Sequence, residues 1–108
     1  MRQLLEPISP SENFVPVLSL RRRLDALVRE FQLSLQHGED DLDSYDAALL
    51  ETEGGNRFLL FRYRNSPADM VDIYIPAHLL GRGYLLNEIV AGLRIPKSAI
   101  IHHRRSRE

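Results

Sequence analysis

The first strong apolar period in the chain is Leu20, Leu24, Leu27, Val28, Phe31 and Leu35. At helical spacing these six fall within an arc about 100° wide, the width of a core-facing stripe. The spacing predicts a helix over roughly 16–37, with Pro16 in its first turn and Gly38 as the residue that stops it. On the outer face Arg21, Asp25 and Arg29 follow one another at i,i+4 spacing, which supports a helix weakly. Three strand candidates come next. Tyr45–Glu53 reads as a strand, although Asp46-Ala47-Ala48-Leu49-Leu50-Glu51 is also good helix sequence; Gly54-Gly55-Asn56 is turn chemistry that favours a hairpin. Arg57–Arg64 is apolar on both faces, as a central strand is. After the turn Asn65–Asp69, Met70–Ile75 alternates, with Val71, Ile73 and Ile75 on one side and Asp72 and Tyr74 on the other.

Setting Arg64 opposite Met70 pairs Tyr63 with Val71, Phe61 with Ile73, Leu59 with Ile75, Leu60 with Tyr74 and Arg62 with Asp72. The register of the first hairpin stays open by one residue, depending on whether Asn56 belongs to its loop; a slip exchanges the faces of the strand. Gly81-Arg82-Gly83 breaks the chain before Tyr84–Leu93, which carries Leu85, Leu86, Ile89, Val90 and Leu93 at helical spacing. Arg94-Ile95-Pro96 ends this second helix, and Ser98–His103 reads as an edge strand or a short helix. Residues 1–15, with Pro7 and Pro10 and no period, read as an irregular arm, 16–103 as one domain, and 104–108 as a basic tail. The expected fold is α+β: an N-terminal helix packed on a three- or four-stranded antiparallel meander, with a second helix near the C-terminus.

At 108 residues, 44% hydrophobic and 27% charged, the chain is long enough for one domain with its own core. With no cysteine, disulfide scaffolds, thiolate metal sites and thiol nucleophiles are excluded. No signal-peptide-like apolar stretch opens the sequence, and no run approaches the roughly 18 apolar residues of a spanning helix. The expectation is a soluble cytoplasmic protein without a membrane partner. The formal net charge of −1 conceals a segregation. Glu39, Asp40, Asp41, Asp43, Asp46, Glu51 and Glu53 come with no intervening base, whereas Arg94, Lys97, Arg104, Arg105 and Arg107 come with no intervening acid. Arg21-Arg22-Arg23 forms a second basic knot. Such patches steer oppositely charged partners, and an acidic loop with a basic end also permits head-to-tail self-association.

The most specific local pattern is Glu88-Ile89-Val90-Ala91-Gly92-Leu93-Arg94-Ile95-Pro96-Lys97-Ser98-Ala99-Ile100. It resembles the helix-turn-helix of winged-helix regulators of the IclR family, departing from it at Val90, Arg94 and His103. The resemblance implies buried Ile89, Leu93, Ile95 and Ile100, with Lys97, Ser98, His102, Arg104 and Arg105 approaching the major groove or phosphates. An amphipathic helix, a proline turn and a terminal strand account for the same residues. His37, His78, His102 and His103 lack metal-ligand spacing, so no metal is expected. There is no Gly-x-Ser-x-Gly elbow and no P-loop, so neither a catalytic residue nor a cofactor is assigned; a small hydrolase pairing a His with Asp69 or Asp72 is a distant third reading. Tyr63 and Tyr74 with Arg62 and Arg64 are an aromatic-basic set, but Tyr63 falls on the side of Phe61 and Leu59.

The leading expectation is therefore a non-enzymatic binding or regulatory module, acting through a protein partner or as a homo-oligomer. Its docking residues are expected to be Phe58, Leu60 and Tyr74 on an outer sheet face, with Arg21, Arg22 and Arg23. Two open edge strands support it. The alternative is a DNA-binding regulator using residues 88–107, including Lys97, Ser98, His102, Arg104 and Arg105.

Overall fold

A central strand that is apolar on both sides needs a sheet neighbour on each edge and cover on each face. That is how the chain folds in a computed structural model, which describes residues 1–8 and 12–102. One antiparallel sheet of seven strands is built from β1 (Arg2–Gln3), β2 (Phe14–Leu20), β3 (Gln36–Glu39), β4 (Ser44–Glu51), β5 (Arg57–Tyr63), β6 (Val71–Pro76) and β7 (Ile100–His102). The spatial order is β1-β4-β5-β6-β2-β7, and β3 shares with β1 the outer edge of β4. Two helices, α1 (Leu24–Phe31) and α2 (Gly83–Gly92), bury Leu24, Leu27, Leu85 and Ile89. The described residues form one body with a radius of gyration of 12.9 Å, close to the ~13 Å of a 100-residue domain.

The fold corrects the expected N-terminal helix on a three- or four-stranded meander. The long helix over 16–37 is three elements: strand β2, helix α1 and strand β3. Of the six stripe residues, Leu24, Leu27, Val28 and Phe31 lie on α1, whereas Leu20 ends β2 and Leu35 precedes β3. Phe14-Val15-Pro16-Val17-Leu18 is β-branched and aromatic, which favours a pleated, buried strand over a helix end. Arg21–Arg23 is the turn between the two, so the predicted Arg21–Asp25–Arg29 ladder is replaced. Arg23 Nε lies 3.1 Å from Asp25, and Arg22 reaches Glu30 at 3.2 Å. Gln32 stops α1 in a left-handed conformation, φ 54°, and its N–H donates to the Val28 carbonyl. Residues 1–15, read as an irregular arm, supply β1 and the start of β2.

The β5–β6 register is one residue away from the expected one. Leu60 pairs with Ile73, Leu59 with Tyr74 and Phe61 with Asp72. A one-residue shift reassigns faces: Phe58, Leu60, Val71, Ile73 and Ile75 join Ala48 and Leu50 beneath the helices. Asp72 consequently lies opposite Phe61 rather than Arg62, and it accepts a 2.7 Å hydrogen bond from the Ser19 hydroxyl. The expected Arg62–Asp72 pair is not made; Arg62 donates instead to the carbonyls of Ser66, at 2.8 Å, and Pro67, at 3.3 Å.

β2 carries a bulge. Pro16 pairs with Tyr74 and Leu18 with Ile73, leaving Val17 as the extra residue. Val17 and Leu18 are both buried in the helix-side core, as two consecutive residues of a bulge can be. Pro16 lacks an N–H, and the described residues of β7 pair with Leu18–Leu20, short of it. The β4–β5 hairpin turns at Glu53-Gly54-Gly55. Gly55 adopts φ 86°, and the Thr52 N–H meets the Asn56 carbonyl at 2.8 Å. This settles the hairpin register with Tyr45 opposite Tyr63 and Glu51 opposite Arg57.

The C-terminal half keeps its second helix: Tyr84–Leu93 is expected and Gly83–Gly92 is found. Arg94 follows it with φ 57°, the left-handed conformation usually left to glycine. Its guanidinium lies 5.3 Å from the Phe31 ring centre and 3.5 Å from Glu30, joining the end of α2 to the end of α1. Lys97–Ala99 is a single 3-10 turn, and β7 pairs with β2.

Gly38 is the clearest case of a residue fixed by space rather than by a turn. It pairs with Tyr45 across β3–β4, and the Tyr45 ring lies over its Cα, so that any Cβ there would collide with the phenol. Replacing Gly38→Ala is expected to lower unfolding stability by about 1–3 kcal/mol, the usual cost of overpacking. An urea midpoint that falls with an unchanged slope is the expected reading.

Candidate functional site

The two faces of the sheet are covered in different ways. Under α1 and α2 lies the larger core, which includes fully buried Leu18, Leu20, Leu27, Phe58, Leu60 and Ile73. The opposite face carries Ala47, Leu49, Leu59 and Phe61, buried, with Leu4, Ile8, Phe14, Tyr45, Tyr63 and Tyr74 packed half-buried against them. Among the described residues, no helix crosses this second face.

Cover for its upper half, where β4 ends and β5 begins, comes from the N-terminal segment. The Leu4 N–H donates to the Leu49 carbonyl at 2.9 Å. Two glutamine side chains then serve the backbone of the segments around them. Gln3 exchanges hydrogen bonds with the Ser34 N–H and carbonyl, while Gln36 donates to the Glu6 carbonyl and accepts from the Ile8 N–H. Arg57 clamps Glu6 and Glu12, each at 3.0 Å.

The lower half, where β4 begins and β5 ends, is floored by aromatic rings. Phe61 stacks on Tyr45 at 4.7 Å, meets Tyr63 edge-on at 4.9 Å, and lies 4.5 Å from Tyr74. Such packing is worth about 0.5–1.5 kcal/mol per pair beyond the area it buries. The β3–β4 turn, Asp40–Asp43, borders this end. Tyr63 donates its phenolic O–H to Asp40 at 2.7 Å, and the other Asp40 oxygen accepts the N–H groups of Leu42 and Asp43. Burial first, and then that bond to Asp40, push the Tyr63 hydroxyl far above the usual tyrosine value. Burial, with the charges of Asp72 and Asp40, also raises Tyr74. The phenol of Tyr63 and the backbone N–H groups hold the Asp40 carboxyl below its ordinary value, so it is ionised at neutral pH. Among the described residues, Asp40, Asp41, Asp43 and Asp72 form no ion pair with a basic side chain. A tyrosine floor with a carboxylate rim is the outcome.

The expected docking residues are thereby divided. Phe58 and Leu60 are fully buried on the helix side, and Tyr74 alone of the three lies on the opposite face, half-buried. Arg21, Arg22 and Arg23 lie in the β2–α1 turn, with Arg22 and Arg23 engaged by Glu30 and Asp25. Of the nucleic-acid set, Lys97 and Ser98 are exposed on the 3-10 turn and His102 is in β7; Arg104 and Arg105 lie outside the described residues. Of the positions the resemblance would bury, Ile89, Leu93 and Ile95 are buried and Ile100 is half-buried, yet a single 3-10 turn followed by strand β7 stands where its recognition helix would run. The residues that sequence reasoning missed are Tyr45 and Asp40. Tyr45 follows from the hairpin register once Asn56 is assigned to the loop; nothing local marks Asp40 as the partner of a tyrosine 23 positions away.

Two other polar assemblies lie on the helix side. His37 Nδ1 and Arg64, at 3.3 Å, both meet Asp46 Oδ1, so this histidine pairs with Asp46 rather than with Asp69 or Asp72. Near them a cavity of about 290 Å³ runs between α1 and the sheet, lined by Arg23, Asp25, Asp46 and Arg62 among others. A second cavity, about 360 Å³, lies between Met1, the β4–β5 turn and α2. There the Gly54 N–H donates to one Glu88 oxygen at 3.2 Å. Among the described residues no three His, Asp or Glu side chains gather as a metal would require, and no helix is long and apolar enough to cross a membrane. Comparison with protein-family models, curated proteins and solved structures finds no match.

Asp46 supplies a pH test. Burial opposes its ionisation, but hydrogen bonds from His37 and Arg64 and the charge of Arg64 hold its carboxyl below the ordinary range. A depressed folded-state value stabilises the fold above the unfolded pKa of about 3.9, and that contribution fades as pH falls through the folded value. Asp46→Asn is therefore expected to be less stable than the parent at neutral pH, with the gap closing in acid below about pH 4. Melting curves across pH read both limbs.

Proposed function

We propose that the protein is a non-enzymatic binding module that docks a protein partner or a second copy of itself on the lower half of its second sheet face. One observation carries this reading. Tyr45, Tyr63 and Tyr74 lie half-buried and clustered around Phe61 on the sheet face opposite the helices, with their rings in mutual contact. Tyrosines suit such a role because they offer large, stiff contact area with a polar tip, and aromatic residues are enriched where proteins meet. The carboxylates beside it, which form no ion pair among the described residues, add electrostatic selection, which acts on encounter rate and on the choice of partner. The reading places the protein in a reducing cytoplasm, with which a cysteine-free chain is compatible.

A photo-crosslinking amino acid in place of Tyr63, with the same probe in place of exposed Tyr84 on α2 as control, tests this in cells. The expected result is a discrete adduct from position 63 that position 84 does not form. Equal yields from both positions, or none from position 63, would overturn the reading.

A further inference from the structure

The cavity of about 290 Å³ between α1 and the sheet joins an apolar floor to a cation that no acid answers. Leu24, Val28 and Leu35 supply the floor, Leu24 buried and the other two half-buried. Four charged side chains line the wall, and three of them are already matched. Arg23 and Asp25 hold each other by two prongs, at 3.1 and 3.3 Å. Asp46 Oδ1 meets both His37 and Arg64. Arg62 is the exception. The β4–β5 register sets it opposite Asp46, yet its guanidinium turns to the backbone of the β5–β6 turn. Nη2 donates to the carbonyls of Ser66, at 2.8 Å, and Arg64, at 3.5 Å, and Nε donates to that of Pro67, at 3.3 Å. Carbonyl dipoles orient a guanidinium without cancelling its charge. Among the described residues Arg62 makes no ion pair, and its Nη1 makes no hydrogen bond. Asp69, in the adjoining turn, is exposed and does not line the cavity.

We propose that this cavity binds a small carboxylic acid with a short aliphatic body, its carboxylate on Arg62 and its body on Leu24, Val28 and Leu35. A guanidinium matches a carboxylate in shape as well as charge. This one is already held by three carbonyls, so little ordering remains to be done when the ligand arrives. An apolar lining with a few fixed polar groups is the usual make-up of small-ligand sites, and the volume lies near their lower limit of roughly 300 Å³. The occupant is therefore small. One unanswered cation calls for one negative charge; the carboxylates of Asp25 and Asp46 on the same wall repel a multiply charged anion such as phosphate. The site lies on the helix side of the sheet, across from the tyrosines, so it goes beyond the docking reading and does not depend on it.

Titration of the isotope-labelled full chain, followed through its amide NMR spectrum, tests the site. Isovalerate is the probe. Isovaleramide keeps the body without the charge, and acetate keeps the charge without the body. Isovalerate should give saturable shifts gathered on Leu24, Val28, Leu35 and Arg62, with a Kd of about 1 mM. Each comparison compound should bind at least about tenfold more weakly. Arg62→Lys keeps a charge but gives up the fork, and should weaken isovalerate by at least about tenfold. Ala68 is an exposed residue of the lining. Ala68→Glu should weaken binding by repulsion, whereas Ala68→Gln, nearly the same size, should stay within about threefold of the parent. The same spectra report whether each variant is folded. Shifts that do not saturate by about 20 mM, or that fall away from the cavity, would overturn the inference. So would an amide or acetate that binds as isovalerate does, an Arg62→Lys variant that binds as the parent does, or two Ala68 variants that behave alike. None of these outcomes touches the Tyr63 crosslink, which tests the docking reading by itself.

Discussion

A run of four apolar residues in the middle of the sheet, Phe58-Leu59-Leu60-Phe61, governs this structure. Alternate side chains of a strand point to opposite faces, so Phe58 and Leu60 demand cover on one side and Leu59 and Phe61 on the other. The two helices of the described residues both go to the first side. The second side is covered by economical means: a laced N-terminal segment over one half and a floor of tyrosines over the other. Its asymmetry is a direct consequence of that placement, and so is the surface we assign to binding.

The lacing itself explains how a segment with little strand pairing can hold. Residues 3–8 pair with the sheet over barely two positions, so most of their backbone groups have no ladder to join. Gln3 and Gln36 serve as substitutes, each offering a donor and an acceptor to the main chain. Buried or half-buried main-chain groups need such partners, and the Arg57 clamp on Glu6 and Glu12 adds charge to the attachment.

Much of the middle of the chain was legible from its sequence. The three strands from Tyr45 to Ile75 and the helix at Tyr84–Leu93 follow from periodicity and from the Gly54-Gly55 turn. What failed did so for physical reasons. The stripe from Leu20 to Leu35 has helical spacing because strand β2, helix α1 and the approach to β3 all face one core, and periodicity cannot tell one element from three that share a face. The β5–β6 register depends on a turn, Asn65–Met70, without a dominant glycine signal, and a one-residue error there moved Leu60 beside Tyr74. The short Arg2–Gln3 strand rests on pairing with residues nearly 50 positions away, which no local pattern encodes. At the docking corner, Tyr74 was legible as an outward residue and Asp40 as part of an acidic run. Their meeting with Tyr63 required the folded sheet.

The division of one edge between β1 and β3 has a protective effect. Two strands of two and four residues occupy the outer side of β4, and the opposite edge of the sheet ends in β7, three residues long in the described chain. Long unpaired edges are templates for indiscriminate strand addition and fibril growth, and proteins blunt them with short strands and charged side chains. Here β3 adds Glu39 and β1 adds Arg2 to that defence. A sheet with two greasy faces and seven strands, a hazardous object in a crowded solution, is thereby kept from stacking edge to edge.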